Sequence, residues 1–159
     1  MAVSVAESIR PAADALDIAE ARALFEEYAR WLAVDLCFQG FAAELASLPG
    51  AYAPPRGRLL LAGPPERAQG CIALRPIDAV TGEVKRLYVR PEARGSRLGR
   101  RLATALIDQA RGIGYRELKL DTLAHMTEAR SLYESLGFSQ CAPYYRNPLP
   151  GVIYMSLVL

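Results

Sequence analysis

Long apolar runs are missing from this 159-residue chain. No stretch reaches the roughly 18 consecutive apolar residues that a membrane helix needs, so no membrane span is expected. The opening residues, MAVSVAESIRPAADALD, lack a basic segment followed by an apolar one, so no signal peptide is expected either. Cysteine is scarce: Cys37, Cys71 and Cys141 are scattered and odd in number. They form no CxxC or Cys/His spacing, which argues against a metal site and reads as reduced thiols packed in a cytoplasmic protein. A strong charge of one sign is also absent. The net charge of +2 is too mild for a dedicated nucleic-acid binder. The phosphate loop GxxxxGK followed by Ser or Thr does not occur, nor does the dinucleotide fingerprint GxGxxG, so ATP and NAD are poorly supported.

What is present fits one packed domain spanning residues 1–159, with 52% hydrophobic and 23% charged residues and no linker, repeat or low-complexity tract. VSVAESI (3–9) alternates as a half-buried strand that Pro11 ends. From Asp14 to about Leu36, Leu16, Ala19, Ala23, Leu24, Tyr28, Trp31 and Leu32 recur at helical spacing. A short helix is expected over FAAELASL (41–48), and PGAYAPPRG (49–57) reads as a loop. RLLLAG (58–63) and QGCIALRPI (69–77) read as adjacent antiparallel strands, and GEVKRLYVR (82–90) as another. Leu98, Leu102, Ala105, Leu106 and Gln109 share one face of a helix over 96–111, which GIG (112–114) stops. YRELKLDT (115–122) is a strand, MTEARSLYESLGF (126–138) a helix, and GVIYMSLVL (151–159) a closing strand. The order predicts an α/β (α+β) fold, a mixed sheet with helices packed on it.

One stretch is oddly charged. RPEARGSRLGRRL (90–102) sets Arg90, Arg94, Arg97, Arg100 and Arg101 around Gly95 and Gly99, where a strand gives way to a helix. Helix N-termini ordinarily favour acidic residues. An anion there accepts the unpaired amides, glycines let the backbone approach it, and arginines add charge-assisted bonds to phosphate. The alternative is a solvated helix face; the two glycines, the preceding strand and Pro91 favour the anion site.

The same residues resemble the acyl-CoA-binding motif of the GNAT N-acetyltransferase superfamily. Its pattern, Q/R-x-x-G-x-G/A, reads here as Arg94-Gly95-Ser96-Arg97-Leu98-Gly99. ARSLYESLGF (129–138) resembles the family's A-x-x-L-Y-x-x-x-G-F segment. The likeness runs from near residue 70 to the end. Two positions depart: Arg97 replaces the middle glycine, and Met126 stands where an asparagine often meets the cofactor arm. His125 or Thr127 are the neighbours placed to compensate; the other reading of His125 is a structural or exposed residue.

The resemblance implies a mostly antiparallel central sheet with one splayed parallel pair and helices on both faces. It also implies acetyl-CoA as co-substrate, no metal, and an amine acceptor. The diphosphate would lie on amides from Gly95 to Arg100, including Ser96, Arg97, Leu98 and Gly99, with Arg94 beside them. The pantetheine arm would pair with the strand near Leu87 and Val89, and an amide near Tyr88 or Val89 would polarise the thioester carbonyl. Glu83 occupies a strand position where some members carry the general base; its other reading is a surface or ion-paired carboxylate. Tyr133 matches the tyrosine that protonates the leaving thiolate; its other reading is packing. Acceptor contacts fall to Tyr144, Tyr145 and Asn147 in APYYRNPLPG (142–151), or to the helix around Tyr28, Trp31 and Asp35. The same residues read alternatively as a rigid turn and, for Trp31, as core. The implied function is N-acetyl transfer to a small-molecule or protein amine; the alternative is a non-catalytic acyl-CoA sensor. No nucleic acid or membrane partner is expected, and a homodimer stays open.

Overall fold

The computed structural model describes residues 8–159. Its elements in chain order begin with β1 (Ile9–Pro11), α1 (Ala15–Leu32) and α2 (Phe41–Ser47). The strands β2 (Arg58–Ala62), β3 (Gly70–Pro76) and β4 (Thr81–Val89) follow, then α3 (Leu98–Ile113). The chain closes with β5 (Glu117–Leu123), α4 (Thr127–Ser135), β6 (Ser139–Gln140) and β7 (Val152–Val158). Most of the strand expected over 3–9 lies outside the described residues. Its visible part is an edge strand that ends on Pro11, a residue with no amide to give a ladder.

One seven-stranded sheet runs in the order β1-β2-β3-β4-β5-β7-β6. All neighbours are antiparallel except β4 and β5. The expected antiparallel pairing of 58–63 with 69–77 is present, with Leu60 opposite Ile72. The two-residue β6 had no signature of its own in the sequence; it is held at the edge by Ser156 and Met155.

Alternation along the strands feeds two apolar layers. Leu60, Ile72, Leu74 and Val84 meet Leu98, Leu102 and Leu106 of α3 on one face, with Tyr133 and Phe138. Leu59, Leu61, Cys71 and Ala73 meet Ala21, Leu24 and Phe25 of α1 on the other. Full burial of each leucine contributes on the order of 2 kcal/mol. Helices therefore cover both faces of the sheet.

The buried face of α1 differs from the expected one. It runs through Asp17, Ala21, Leu24 and Phe25, while Leu16 and Trp31 are 50% and 48% exposed. Asp17 belongs inside because Arg10 donates to its carboxylate at 2.9 Å and the Ala13 amide at 2.9 Å. The helix starts where Asp14 accepts the Asp17 amide at 2.9 Å, an N-cap bond. Asp14→Ala is expected to cost about 1 kcal/mol of unfolding free energy, read from the urea midpoint at unchanged slope.

Candidate functional site

Two strand irregularities open the site. Parallel pairing of β4 with β5 covers only Thr81, Gly82 and Glu83. Beyond Glu83 the strands part, and that edge of β4 is left without a β5 partner. On its other edge β4 carries a bulge: Tyr88 faces Cys71 and Lys85 faces Ala73, so Arg86 and Leu87 share the place opposite Ile72. Arg86 takes φ +62°, a left-handed conformation costing on the order of 1 kcal/mol. The bulge turns Arg86 onto the sheet face that Lys85 already takes by alternation, the side of α1 and α2. Arg86 donates to both carboxylate oxygens of Glu44, at 2.9 and 3.0 Å, and lies over the Phe41 ring. Burial works against the charge of this guanidinium, but the Glu44 pair outweighs it and raises its affinity for its proton.

The end of β4 shows which backbone groups face the gap. The Arg90 amide donates to Gln69 on the β3 side, whereas Arg94 Nε donates to the Val89 carbonyl at 2.9 Å. Neighbouring residues of a strand point their polar groups to opposite edges, so the Val89 amide faces away from β3, into the gap.

A turn of 3-10 helix at Pro91–Ala93 then leads to α3. Gly95 adopts φ +88° and Arg97, the residue capping α3, φ +61°. Among the described residues no side chain caps this helix, and its first turn carries no acid. Its first main-chain bond is from the Arg101 amide to the Arg97 carbonyl, at 3.0 Å. The amides of Leu98, Gly99 and Arg100 have no intrahelical acceptor. The five arginines do not act alike. Arg90 is buried, paired with Glu27 at 2.8 Å and donating to the Ala68 carbonyl at 2.7 Å; it fastens β4 to α1. Arg94 lies over the rings of Trp31 and Tyr88, 5.2 and 5.7 Å from their centroids. Arg100 donates to the Ser135 hydroxyl, and the Ser96 hydroxyl donates to the Ala93 carbonyl at 2.7 Å.

A cavity of about 590 Å³ joins these features. Gly95, Arg97, Leu98 and Gly99, past the end of β4, line it, as do Lys85, Asp121, Asn147 and Tyr133. Of the residues expected in the site, Tyr28, Trp31, Leu87, Tyr88, Val89 and Arg94 also line it, as do His125, Met126 and Thr127. Ser96, Arg100, Glu83, Tyr144 and Tyr145 are not on this wall. Asp35 instead accepts the Cys37 amide at 2.8 Å.

The Tyr133 ring packs edge-on against Phe138. Its hydroxyl has no hydrogen-bond partner among the described residues. Burial, reinforced by Tyr28 and Asp121, pushes its pKa well above that of an ordinary phenol, so it holds its proton.

Beside the cavity lies a polar cluster. Glu83 accepts from Arg75 Nε at 2.7 Å and from the Tyr144 hydroxyl at 2.6 Å. Asp121 accepts from the Tyr145 hydroxyl and, at 2.8 Å, from Asn147 Nδ2. Lys85 Nζ donates to Gln39 Oε1 at 3.1 Å and stands 4.0 Å from Glu83 and 3.9 Å from Asp121. The loop tyrosines thus hold carboxylates in place instead of presenting free hydroxyls to the cavity. The sequence reading missed Lys85, Gln39, Asp121 and the Arg86–Glu44 pair. For Lys85, Arg86 and Asp121 the one signal was charge inside otherwise apolar strands, in GEVKRLYVR and YRELKLDT; Gln39 and Glu44, outside those strands, had none. No group of three or more metal-binding side chains occurs among the described residues, and no helix there is long and apolar enough to cross a membrane.

Comparison with known proteins gives the same picture. The model of the acetyltransferase (GNAT) family matches residues 18–138. An uncharacterized N-acetyltransferase of Schizosaccharomyces pombe is 41% identical over 143 residues, covering 89% of this chain and 88% of the relative. In three dimensions, an acetyltransferase from Streptococcus agalactiae superposes with a TM-score of 0.81 at 23% identity, over 97% of this chain and 99% of its own. A Salmonella typhimurium protein solved with its cofactor acetyl-CoA gives a TM-score of 0.66 at 24% identity, over 96% and 94% of the two chains.

Proposed function

The chain belongs to the GNAT acetyltransferase family, and we propose that it is an acetyl-CoA-dependent N-acetyltransferase, moving an acetyl group to a primary amine of a small molecule or protein by direct attack. The observation that carries this reading is the continuity of the cavity. One space connects amides at the start of α3 that have no intrahelical acceptor, the edge of β4 beyond its pairing with β5, and Tyr133. Those three features fit the diphosphate, the pantetheine amides and the sulfur of acetyl-CoA in that order along one extended ligand.

Acetyl-CoA, when bound, supplies the acetyl group as an activated thioester. The amides of Leu98, Gly99 and Arg100 would hold its diphosphate, aided by Gly95 and by the charges of Arg94 and Arg97. The gap edge of β4 from Leu87 to Val89 would orient the arm, and the Val89 amide would stabilise charge developing on the thioester oxygen. Tyr133 would donate its proton to the departing thiolate. Removal of the amine's proton falls to the carboxylates flanking Lys85. Glu83, the one the family resemblance implies, does not line the cavity itself; Lys85, which does, stands 4.0 Å from it. Three unpaired cysteines suit a reducing, cytoplasmic setting.

Titration calorimetry with acetyl-CoA, followed by free-thiol release on polyamines, amino acids, aminoglycosides and peptide N-termini, tests the reading. One-to-one binding is expected, with thiol release for at least one amine class. Binding with no release on any amine would instead support an acyl-CoA sensor.

A further inference from the structure

We propose that Asp121 is a catalytic residue that takes the proton from the acceptor amine. This deepens the N-acetyltransferase reading and rests on it. Glu83 and Asp121 are the two carboxylates beside Lys85, and they are placed differently. Glu83 lies in the last pair where β4 and β5 are still joined, and its two oxygens receive Arg75 and Tyr144. Asp121 lies on β5 two residues beyond that last pair, where the strands have parted, and it lines the cavity.

Its carboxylate is also oriented. Tyr145 and Asn147 both donate to Oδ2, and Asn147 Nδ2 further approaches the Tyr145 oxygen at 3.2 Å. Oδ1 has Lys85 Nζ at 3.9 Å, beyond hydrogen-bond reach. Among the described residues Oδ1 thus has no direct donor, and Asp121 is a residue of the cavity wall. The groups that face Asp121 are Lys85 and Glu83 from β4, Tyr28 from α1, Tyr133 from α4, and Tyr144 and Tyr145 from the loop. Tyr28, Tyr133 and Asp121 line the same cavity, so Asp121 and the proposed proton donor open onto one space. Gln39 Oε1, Glu83 and Asp121 around Lys85 Nζ favour its ammonium, but burial outweighs them and lowers its affinity for its proton. The same burial disfavours an ammonium on the acceptor, so the acceptor reacts as the neutral amine.

The step then balances. The amine nitrogen bonds to the acetyl carbon and the carbon–sulfur bond breaks. The nitrogen's surplus proton passes to Asp121 Oδ1, and the Tyr133 proton passes to sulfur. Solvent then takes one proton from Asp121 and returns one to Tyr133.

The test compares Asp121→Asn, Glu83→Gln and the double variant Tyr145→Phe/Asn147→Ala. It uses the fastest amine among polyamines, amino acids, aminoglycosides and peptide N-termini, with the acetyl-CoA dissociation constant measured by calorimetry alongside. Asp121→Asn is expected to lower kcat at least a hundredfold with the dissociation constant within threefold of wild type. Glu83→Gln should lose less, and the double variant, which keeps the charge, should retain at least a tenth of kcat. A kcat for Asp121→Asn within threefold of wild type overturns the assignment, as does a larger loss in Glu83→Gln. If Asp121→Asn does not fold, the double variant decides: a loss beyond a hundredfold means that Asp121 only anchors the loop. Wild-type protein that acetylates no amine would defeat the parent reading instead.

Discussion

Gly99→Glu is expected to weaken acetyl-CoA binding about a thousandfold while leaving the fold at least as stable as before. The two halves of that expectation have separate causes. A Cβ built at Gly99 meets Leu132 Cδ2 at 3.7 Å and Val89 Cγ2 at 3.9 Å, ordinary contacts that require no movement. Replacing glycine inside a helix gains roughly 0.5–1 kcal/mol, and an acid in the first turn suits the helix dipole. Thermal stability should hold or rise. The affinity falls because the new carboxylate occupies the space over the α3 amides and repels the diphosphate. Losing two charge-assisted bonds at roughly 1.5–3 kcal/mol each amounts to about 4 kcal/mol, a factor of about a thousand. Calorimetry and a thermal melt on one preparation check both halves. An unchanged dissociation constant would mean that the diphosphate does not lie on α3. Gly99→Ala separates bulk from charge, since the methyl group fits and adds no anion; it should lose far less.

The contrast between what the sequence revealed here and what it concealed follows from distance along the chain. The turn at 90–102 was legible because its logic is local. Glycines at 95 and 99, a proline after the strand and the lack of an acidic first turn all lie within thirteen residues, and the structure sets Gly95 and Arg97 in the left-handed conformation there. The strand-helix-strand order from β4 onward was legible for the same reason: each element carries its own periodicity. The errors came where a residue's environment is made by a distant partner. The α1 face was read from apolar spacing alone, through Leu16, Tyr28 and Trp31, whereas the buried face includes Asp17, which goes inside because Arg10 on β1 meets it. Arg90 was grouped with the phosphate-facing arginines, but Glu27, 63 residues away, turns it inward. Lys85 and Asp121 went unnoticed because their partners, Gln39 and Asn147, are 46 and 26 residues off. No window on the sequence shows that the loop at 144–147 closes over the parted end of β4 and β5. The bulge at Arg86 was equally hidden: nothing in VKRLYV announces that two successive basic side chains will share one face.

Tyr133→Phe should lower kcat about a thousandfold, within the range for loss of a positioned proton donor, with the acetyl-CoA dissociation constant within twofold of wild type. The ring packs edge-on against Phe138, and phenylalanine keeps that contact. The hydroxyl takes part in no hydrogen bond among the described residues, so removing it leaves no buried partner unsatisfied. Stability and cofactor binding are therefore insulated from the change, and only the chemical step feels it. Burial raises the phenol's pKa above 10.0, which at first sight makes it a poor acid for a thiolate near 8.5. The departing thiolate forms in the same low-dielectric cavity, however, and its own proton affinity rises for the same reason. What matters is the difference between the two anions, and shared desolvation leaves that difference small. The raised pKa also fixes the sign of the pH dependence. The protonated phenol is the active form, and its loss is displaced further to the alkaline side, so no fall in kcat from Tyr133 is expected between pH 7 and about 10. A rate that survives Tyr133→Phe would leave the thiolate to be protonated by water and Tyr133 to serve as packing for α4. A fall in wild-type kcat across neutral pH, absent from Tyr133→Phe, would mean that the phenol ionises there and that the cavity is far wetter than its walls imply.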